Sequence, residues 1–246
     1  MKRALVTGAT HGLGCAMAAL LVERGYAVVA VDRVAGAGRH GVSDLVCDLA
    51  DRDAVDRMLP RLVGAGPFDL VVFNAGVSAT GRFEAIPAEA YRRLLTVNAE
   101  TPMVMAAAMM RAGAVRGAMC FVSSLSHFTG YPGAAAYAAS KDALAIYARS
   151  VRKPFARHGV SVTLACPGPL KTEHAARHAP DGADETMRLE PAMAARIILD
   201  AAINGRRLIV PGRRARLVAL AGRLRPQAVT RWMRRLVFER LGRVVW

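Results

Sequence analysis

The stretch Thr7-Gly8-Ala9-Thr10-His11-Gly12-Leu13-Gly14 stands directly after the apolar run Ala4-Leu5-Val6 and directly before residues with helical apolar spacing. That position gives the glycines their meaning. A strand that feeds a helix through a glycine-rich turn gathers backbone N–H groups at the helix start, where the helix dipole also favours an anion. A diphosphate suits such a place. A plain turn without ligand is the alternative that the glycines alone leave open.

Working outward, short runs rich in Val, Leu and Phe recur at 4–6, 26–31, 44–47, 68–73, 118–122, 160–165 and 208–210, and read as seven buried parallel strands. Segments with helical spacing lie between them at 13–24, 54–63, 88–110, 134–157 and 191–203. The alternation predicts an α/β fold with a doubly wound, Rossmann-type parallel sheet. Right-handed crossovers then line the strand C-terminal ends along one edge, where such sheets bind ligands. The stretch 34–41, with Gly36, Gly38 and Gly41, has no room for a helix and predicts a loop beside the adenosine half of a nucleotide.

A chain of 246 residues suits one such domain, assigned to residues 1–211. Cys15, Cys47, Cys120 and Cys166 are far apart and form no C-x-x-C pair, so neither a disulfide framework nor a metal site is expected. The start of the sequence carries no apolar signal core, and no apolar run spans a bilayer, which predicts a cytoplasmic protein. The net charge of +15 is uneven: residues 212–246 hold ten arginines and one acidic residue. There Val229, Trp232, Met233, Leu236, Val237 and Leu241 recur at three- and four-residue intervals among Arg231, Arg234 and Arg235, giving a basic amphipathic helical tail that Pro226 starts.

Asp32 ends the second strand, at the distance from the glycine turn where a carboxylate accepts hydrogen bonds from a ribose diol and repels a 2′-phosphate. NAD(H) is therefore favoured over NADP(H), with Arg33 and His11 as the charges that oppose this reading. Asp48-Leu49 and Asn74-Ala75-Gly76 end the third and fourth strands and face the same edge, as candidate walls for an adenine and a ribose.

Ser123-Ser124 closes the fifth strand, and Tyr137 and Lys141 follow at the start of the next helix. Four residues apart, they share a helix face, which places an ammonium near a phenol and favours its ionised form. Tyrosine ordinarily titrates at about 10, so such a neighbour would bring Tyr137 towards acid–base work near neutrality. A serine hydroxyl from the strand end can hold a substrate oxygen against it.

Over residues 3–211 the sequence resembles the short-chain dehydrogenase/reductase family. The resemblance rests on the glycine turn, Asn74-Ala75-Gly76, Asn98, Ser124, Tyr137, Lys141, and Pro167-Gly168 with Thr172, in this order and spacing. It implies that Ser124 positions a carbonyl or alcohol, Tyr137 transfers a proton, Lys141 binds the nicotinamide ribose and lowers the tyrosine pKa, and Asn98 holds a water in the proton relay. The expected cofactor contacts are then Thr7, Gly8, Thr10, His11, Gly12, Leu13 and Gly14 at the pyrophosphate turn, Asp32 and Arg33 at a ribose, and Asp48 and Leu49 with Asn74, Ala75 and Gly76 at an adenine and a ribose. Pro167, Gly168 and Thr172 would contact the nicotinamide half, and the expected reaction is hydride transfer between an alcohol and a ketone or aldehyde. The shortened stretch after Asp32 and His11 in the turn depart from the family pattern.

The resemblance also implies a homo-oligomer through the helices at 88–110 and 134–157, and a substrate pocket walled by 125–131 and a lid at 170–189. His127, Phe128 and Tyr131 either face a ligand or fill the loop. The tail has three readings: packing on the body or a partner subunit, peripheral contact with an anionic membrane that supplies a lipophilic substrate, or docking of an acidic carrier protein or nonspecific contact with nucleic acid. No nucleic-acid motif is present. The rival to the enzyme is a catalytically silent nucleotide-sensing or scaffolding protein on the same fold.

Overall fold

The structure, a computed structural model, describes residues 1–36, 38–180, 183–240 and 244–246. Seven strands, β1 (Lys2–Thr7), β2 (Tyr26–Asp32), β3 (Val42–Val46), β4 (Phe68–Phe73), β5 (Val115–Val122), β6 (Ser161–Ala165) and β7 (Leu208–Ile209), form one sheet in the order β3-β2-β1-β4-β5-β6-β7. Every pair in it is parallel. The order reverses between β1 and β4, so the crevice that ligands use lies where these two strands end.

Helices cover both faces. One apolar layer packs α1 (Gly12–Glu23) and α9 (Pro191–Ile203) on the sheet through Met17, Leu21, Ile198 and Leu199. The other packs α2 (Arg52–Gly64), α4 (Thr101–Arg111) and α6 (Ala135–Ser150) through Val55, Leu62, Met105, Met109 and Leu144. Asp51 caps α2 by accepting from the Ala54 N–H at 3.1 Å, which satisfies one of the donors a helix start leaves open.

Several predicted boundaries move. The segment 88–110 is α3 (Ala88–Leu95) and α4 joined by one wide π-type turn, Thr96–Glu100, that carries Asn98. The segment 134–157 divides into α6 and a short α7 (Arg152–Ala156); Pro154 has no N–H to continue the ladder. β5 starts at Val115, because Arg116 reaches solvent and pairs with Asp69 at 3.0 Å, a polar position that an apolar pattern does not mark. β3 is displaced towards Val42, as an edge strand none of whose five residues is buried. The stretch 34–41 holds no helix among its described residues.

Short helices α5 (Ser126–Thr129) and α8 (Glu173–Arg177) flank the crevice. The tail is two helices, α10 (Arg213–Leu224), which the periodicity did not mark, and α11 (Pro226–Leu236), which starts at Pro226 as expected. Both pack against α5. Ala219, Gly222 and Val237 are buried, Val229 and Met233 are half-buried and Trp232 is exposed; Leu241 lies outside the described residues. A Cβ on Gly222 would stand 2.1 Å from the Phe128 carbonyl oxygen, and the Thr230 hydroxyl donates to the Thr129 carbonyl at 3.0 Å. Beyond them Val245 bridges Thr80. The tail thus lies on the body of its own chain.

Candidate active site

Two glycines let the turn after β1 approach its neighbours. Gly8 has φ +67°, and a Cβ there would stand 2.8 Å from Ala75 Cα; a Cβ on Gly14 would stand 1.9 Å from the Gly8 carbonyl oxygen. The Thr7 hydroxyl accepts from the N–H groups of Asn74 and Ala75, both at 3.0 Å, and the Asn74 amide donates to the carbonyls of Thr7 at 3.0 Å and Gly8 at 3.2 Å. Thr7 and Asn74 therefore tie the turn to the end of β4. His11 precedes α1 without capping it through its side chain, so among the described residues the cap leaves the first N–H groups of α1 to an anion. Leu13 is buried in the layer under α1.

Asp32 stands against this turn. One of its oxygens accepts from Thr10 N at 3.0 Å and Thr10 Oγ at 2.6 Å, and the other accepts from Arg33 N at 2.8 Å. Thr10 Oγ also lies 2.8 Å from His11 Nδ1. Asp48 accepts from Ala50 N at 2.9 Å and pairs with Arg93 at 3.6 Å, while the Leu49 carbonyl takes the Thr101 hydroxyl at 2.8 Å. Glycine turn, uncapped helix start and strand-end carboxylate together suit a dinucleotide.

At the ends of β5 and α6, Ser124 and Tyr137 meet. Burial pushes the Tyr137 phenol above its ordinary value; the Ser124 hydroxyl pulls it back, and Tyr131 and Cys166 push with the burial. Lys141 is 3 % exposed, and its ammonium donates to the Val122 carbonyl at 2.9 Å. Burial holds that ammonium down at about 8. The expected lowering of the phenol is thus not what this arrangement gives: the strand end draws Lys141 to Val122, and desolvation dominates at Tyr137. A Cβ on Gly76 would stand 3.0 Å from Lys141 Nζ, so Gly76 leaves the room the lysine uses.

Asn98 is fully buried. Its oxygen accepts from Val77 N at 2.8 Å, and its amide donates to the Val77 carbonyl at 2.8 Å and to Ser140 Oγ at 2.9 Å. The side chain so joins the wide turn to the segment after Gly76 and to α6. Pro167 accepts from Leu125 N at 2.8 Å, Gly168 packs against Leu125 and Ala215 of α10, and Thr172 caps α8 at 3.1 Å while its methyl faces Gly12. Thr172 is thereby brought to the glycine turn, while Pro167 and Gly168 stand against Leu125.

The loop residues divide. His127 is engaged by Asp142, and Phe128 is buried in the core beneath the Arg223 guanidinium, 4.8 Å from its ring centroid. Tyr131 faces the charge of Arg188 and the phenol of Tyr137. Sequence reasoning missed Cys166, which sits beside Tyr137 and Lys141 with its thiol pushed up to about 12 by burial. It also missed Ser140, which the fold brings to Asn98 at 2.9 Å, while His174, in the expected lid, has its imidazole held down by burial and by the charges of Lys141 and Arg177.

Residues 2–182 match the family model described as short chain dehydrogenase. An oxidoreductase of Myxococcus xanthus without assigned substrate is 35 % identical over 185 residues, covering 70 % of this chain and 73 % of that protein. The 3-oxoacyl-[acyl-carrier-protein] reductase MabA of Mycobacterium tuberculosis is 31 % identical over 175 residues, covering 70 % of each. A short chain dehydrogenase of Burkholderia cenocepacia, solved in complex with NADP, superposes with a TM-score of 0.80 at 27 % identity, over 95 % of this chain and 99 % of that one. Fold, site and relatives define an NAD(P)-dependent oxidoreductase. The chain belongs to the short-chain dehydrogenase/reductase family.

Proposed function

We propose that this protein interconverts an alcohol and a ketone or aldehyde at the crevice beyond β1, β4 and β5, with NAD(H) preferred to NADP(H). The observation that carries the reading is the meeting of Ser124 with Tyr137, and of Lys141 with Gly76, whose neighbour Ala75 stands against Gly8 of the glycine turn. A bound nicotinamide supplies or accepts the hydride. Ser124 holds the substrate oxygen, and Tyr137 passes it a proton or takes one away. Lys141, already at the edge of the cofactor crevice, binds the nicotinamide ribose; an ammonium that titrates at about 8 is available to exchange protons near neutrality. Asn98 keeps the Val77 segment and α6 in register and belongs to the proton path.

Asp32 supports the preference for NAD(H): a carboxylate fixed by Thr10 and Arg33 would repel a 2′-phosphate and accept a ribose hydroxyl. The NADP in the Burkholderia structure argues the other way for that relative. The test is a fluorescence titration with NADH and, separately, NADPH. Tighter NADH binding supports Asp32 as discriminator, equal or reversed affinities refute it, and binding of neither brings the sensing or scaffolding reading forward.

Among the described residues no helix is long and apolar enough to cross a membrane. We place the enzyme in the cytoplasm as a homo-oligomer, its units being the domain 1–211 and the tail 212–246. Peripheral membrane contact is the second reading, favoured by Leu217, Leu220 and Leu224, which are exposed on one face of α10 among Arg213, Arg216 and Arg223. It would suit a lipophilic substrate, and the reading includes no specific nucleic-acid partner.

A further inference from the structure

A second cavity, of about 400 Å³, is lined by His127, Arg149, Arg152, Leu164, Leu208 and Arg223. Its three arginines come from three elements: Arg149 from the last turn of α6, Arg152 from the start of α7 and Arg223 from α10. A fourth, Arg207, adjoins through its carbonyl, which takes a hydrogen bond from Arg152 Nη2. Among the described residues none of these four is in an ion pair. No carboxylate lines the cavity, and the nearest acid bonded to its wall, Asp142, is taken up by His127. Arg152 Nε is buried without a hydrogen-bond partner.

Such an arrangement is costly by itself. Guanidinium groups repel one another, and a buried donor without an acceptor forfeits the hydrogen bond it had in water. The Arg152 guanidinium shows this, being held below its ordinary value by burial and by the charges of Arg207 and Arg149. An oxyanion removes both costs, because the planar forks of several arginines match the oxygens of a phosphoryl group. The volume lies within the range of small-molecule sites, and Leu164 and Leu208 offer apolar contact to an organic part.

We infer that this cavity is a binding site for an organic phosphate, with Arg149, Arg152 and Arg223 holding the phosphoryl group and Leu164 and Leu208 the carbon skeleton. None of Ser124, Tyr137, Lys141 or the glycine-turn residues lines it, although it adjoins the crevice where His127 N donates to the Ser124 carbonyl at 3.1 Å. Because Arg223 belongs to α10, occupancy draws the tail to the body.

The test is calorimetric titration of the full chain with glycerol 3-phosphate and with inorganic phosphate, in low-ionic-strength chloride buffer. Its variants are R149Q and R149Q/R223Q, which change two exposed side chains without hydrogen bonds of their own. Saturable binding is expected in the parent, weakened about tenfold or more by each arginine removed. R149Q should melt no lower than the parent in chloride alone, since repulsion is relieved, whereas the double variant also gives up the contact of Arg223 with the Phe128 ring. Absence of saturable binding, or equal binding to the double variant, overturns the proposal; phosphate held at the glycine turn would give the second result. Co-sedimentation with phosphatidic acid vesicles, lost in R149Q/R223Q and absent with phosphatidylcholine, would assign the phosphate to a lipid headgroup. Binding of the soluble ester without co-sedimentation assigns it to a free metabolite.

Discussion

Replacing Lys141 by methionine should stabilise the ligand-free protein while abolishing turnover. The ammonium is buried, and its drop from 10.5 to about 8 corresponds to roughly 3 kcal/mol of burial cost at about 1.4 kcal/mol per pH unit. Methionine has a similar length and no charge, but it gives up the 2.9 Å bond to the Val122 carbonyl, a loss of about 1 kcal/mol. The net expectation at pH 7 is a gain of about 2 kcal/mol, or a melting temperature about 4–8 °C higher. The sign of the pH dependence follows from the lowered value. Below pH 8 both folded and unfolded lysine are protonated and the full cost is present. Between about 8 and 10.5 the folded amine loses its proton while the unfolded one keeps it, so the parent gains stability as pH rises and the difference between the two proteins closes. Cys120, pushed up to about 12, opposes this above pH 9 in parent and variant alike and cancels in the comparison, whereas the Cys166 thiol, which the Lys141 charge lowers in the parent, holds its proton more firmly in the variant and closes the difference further. Urea denaturation of both proteins at pH 7 and near pH 10 provides the measurement. A variant less stable than the parent at pH 7, or a difference that does not shrink on raising the pH, would refute the account of a strained, desolvated lysine.

Other substitutions address the rest of the site. Tyr137→Phe should lower turnover by about 10²–10⁴-fold with NADH binding retained, and unchanged activity would remove Tyr137 from the chemistry. Asp32→Asn should move the NADH-to-NADPH affinity ratio about tenfold towards NADPH; an unmoved ratio means that the carboxylate does not face the 2′ position. Gly14→Ala puts a methyl 1.9 Å from the Gly8 carbonyl oxygen, so loss of dinucleotide binding with about 1–3 kcal/mol of destabilisation is expected, read by fluorescence titration and urea melts. Gly222→Val sets side-chain carbon 2.1 Å from the Phe128 carbonyl oxygen and should lift α10 from α5. Both tryptophans, Trp232 and Trp246, lie in the tail. Their emission should then unfold ahead of the far-UV circular dichroism, whereas coincident transitions would show the tail still docked.

Apolar runs alternating with helical spacing sufficed to read seven parallel strands and their order of appearance, because burial on both faces imposes Val- and Leu-rich segments that polar turns interrupt. The glycine turn, Asp32, Asn74, Ser124, Tyr137 and Lys141 were legible for a related reason: a sheet of this topology delivers every strand end to one edge, so spacing along the chain becomes position in space. Edges were less legible. β3 and the start of β5 carry polar residues that interrupt the apolar pattern, and the partner of Arg116, Asp69, lies far off in sequence.

The bonding inside the site was decided by tertiary structure. That Lys141 turns to Val122, that Asn98 spends its amide on Val77 and Ser140, and that Cys166 joins them depends on how α6 and the wide turn lean on β5, which no local pattern encodes. The tail makes the contrast plain. Its sequence determined a basic amphipathic helix starting at Pro226, but not what the apolar face would cover. Only the fold places Gly222 on the Phe128 backbone and Arg223 beside Arg149 and Arg152, because a surface complementary to a helix is assembled from segments distant in sequence.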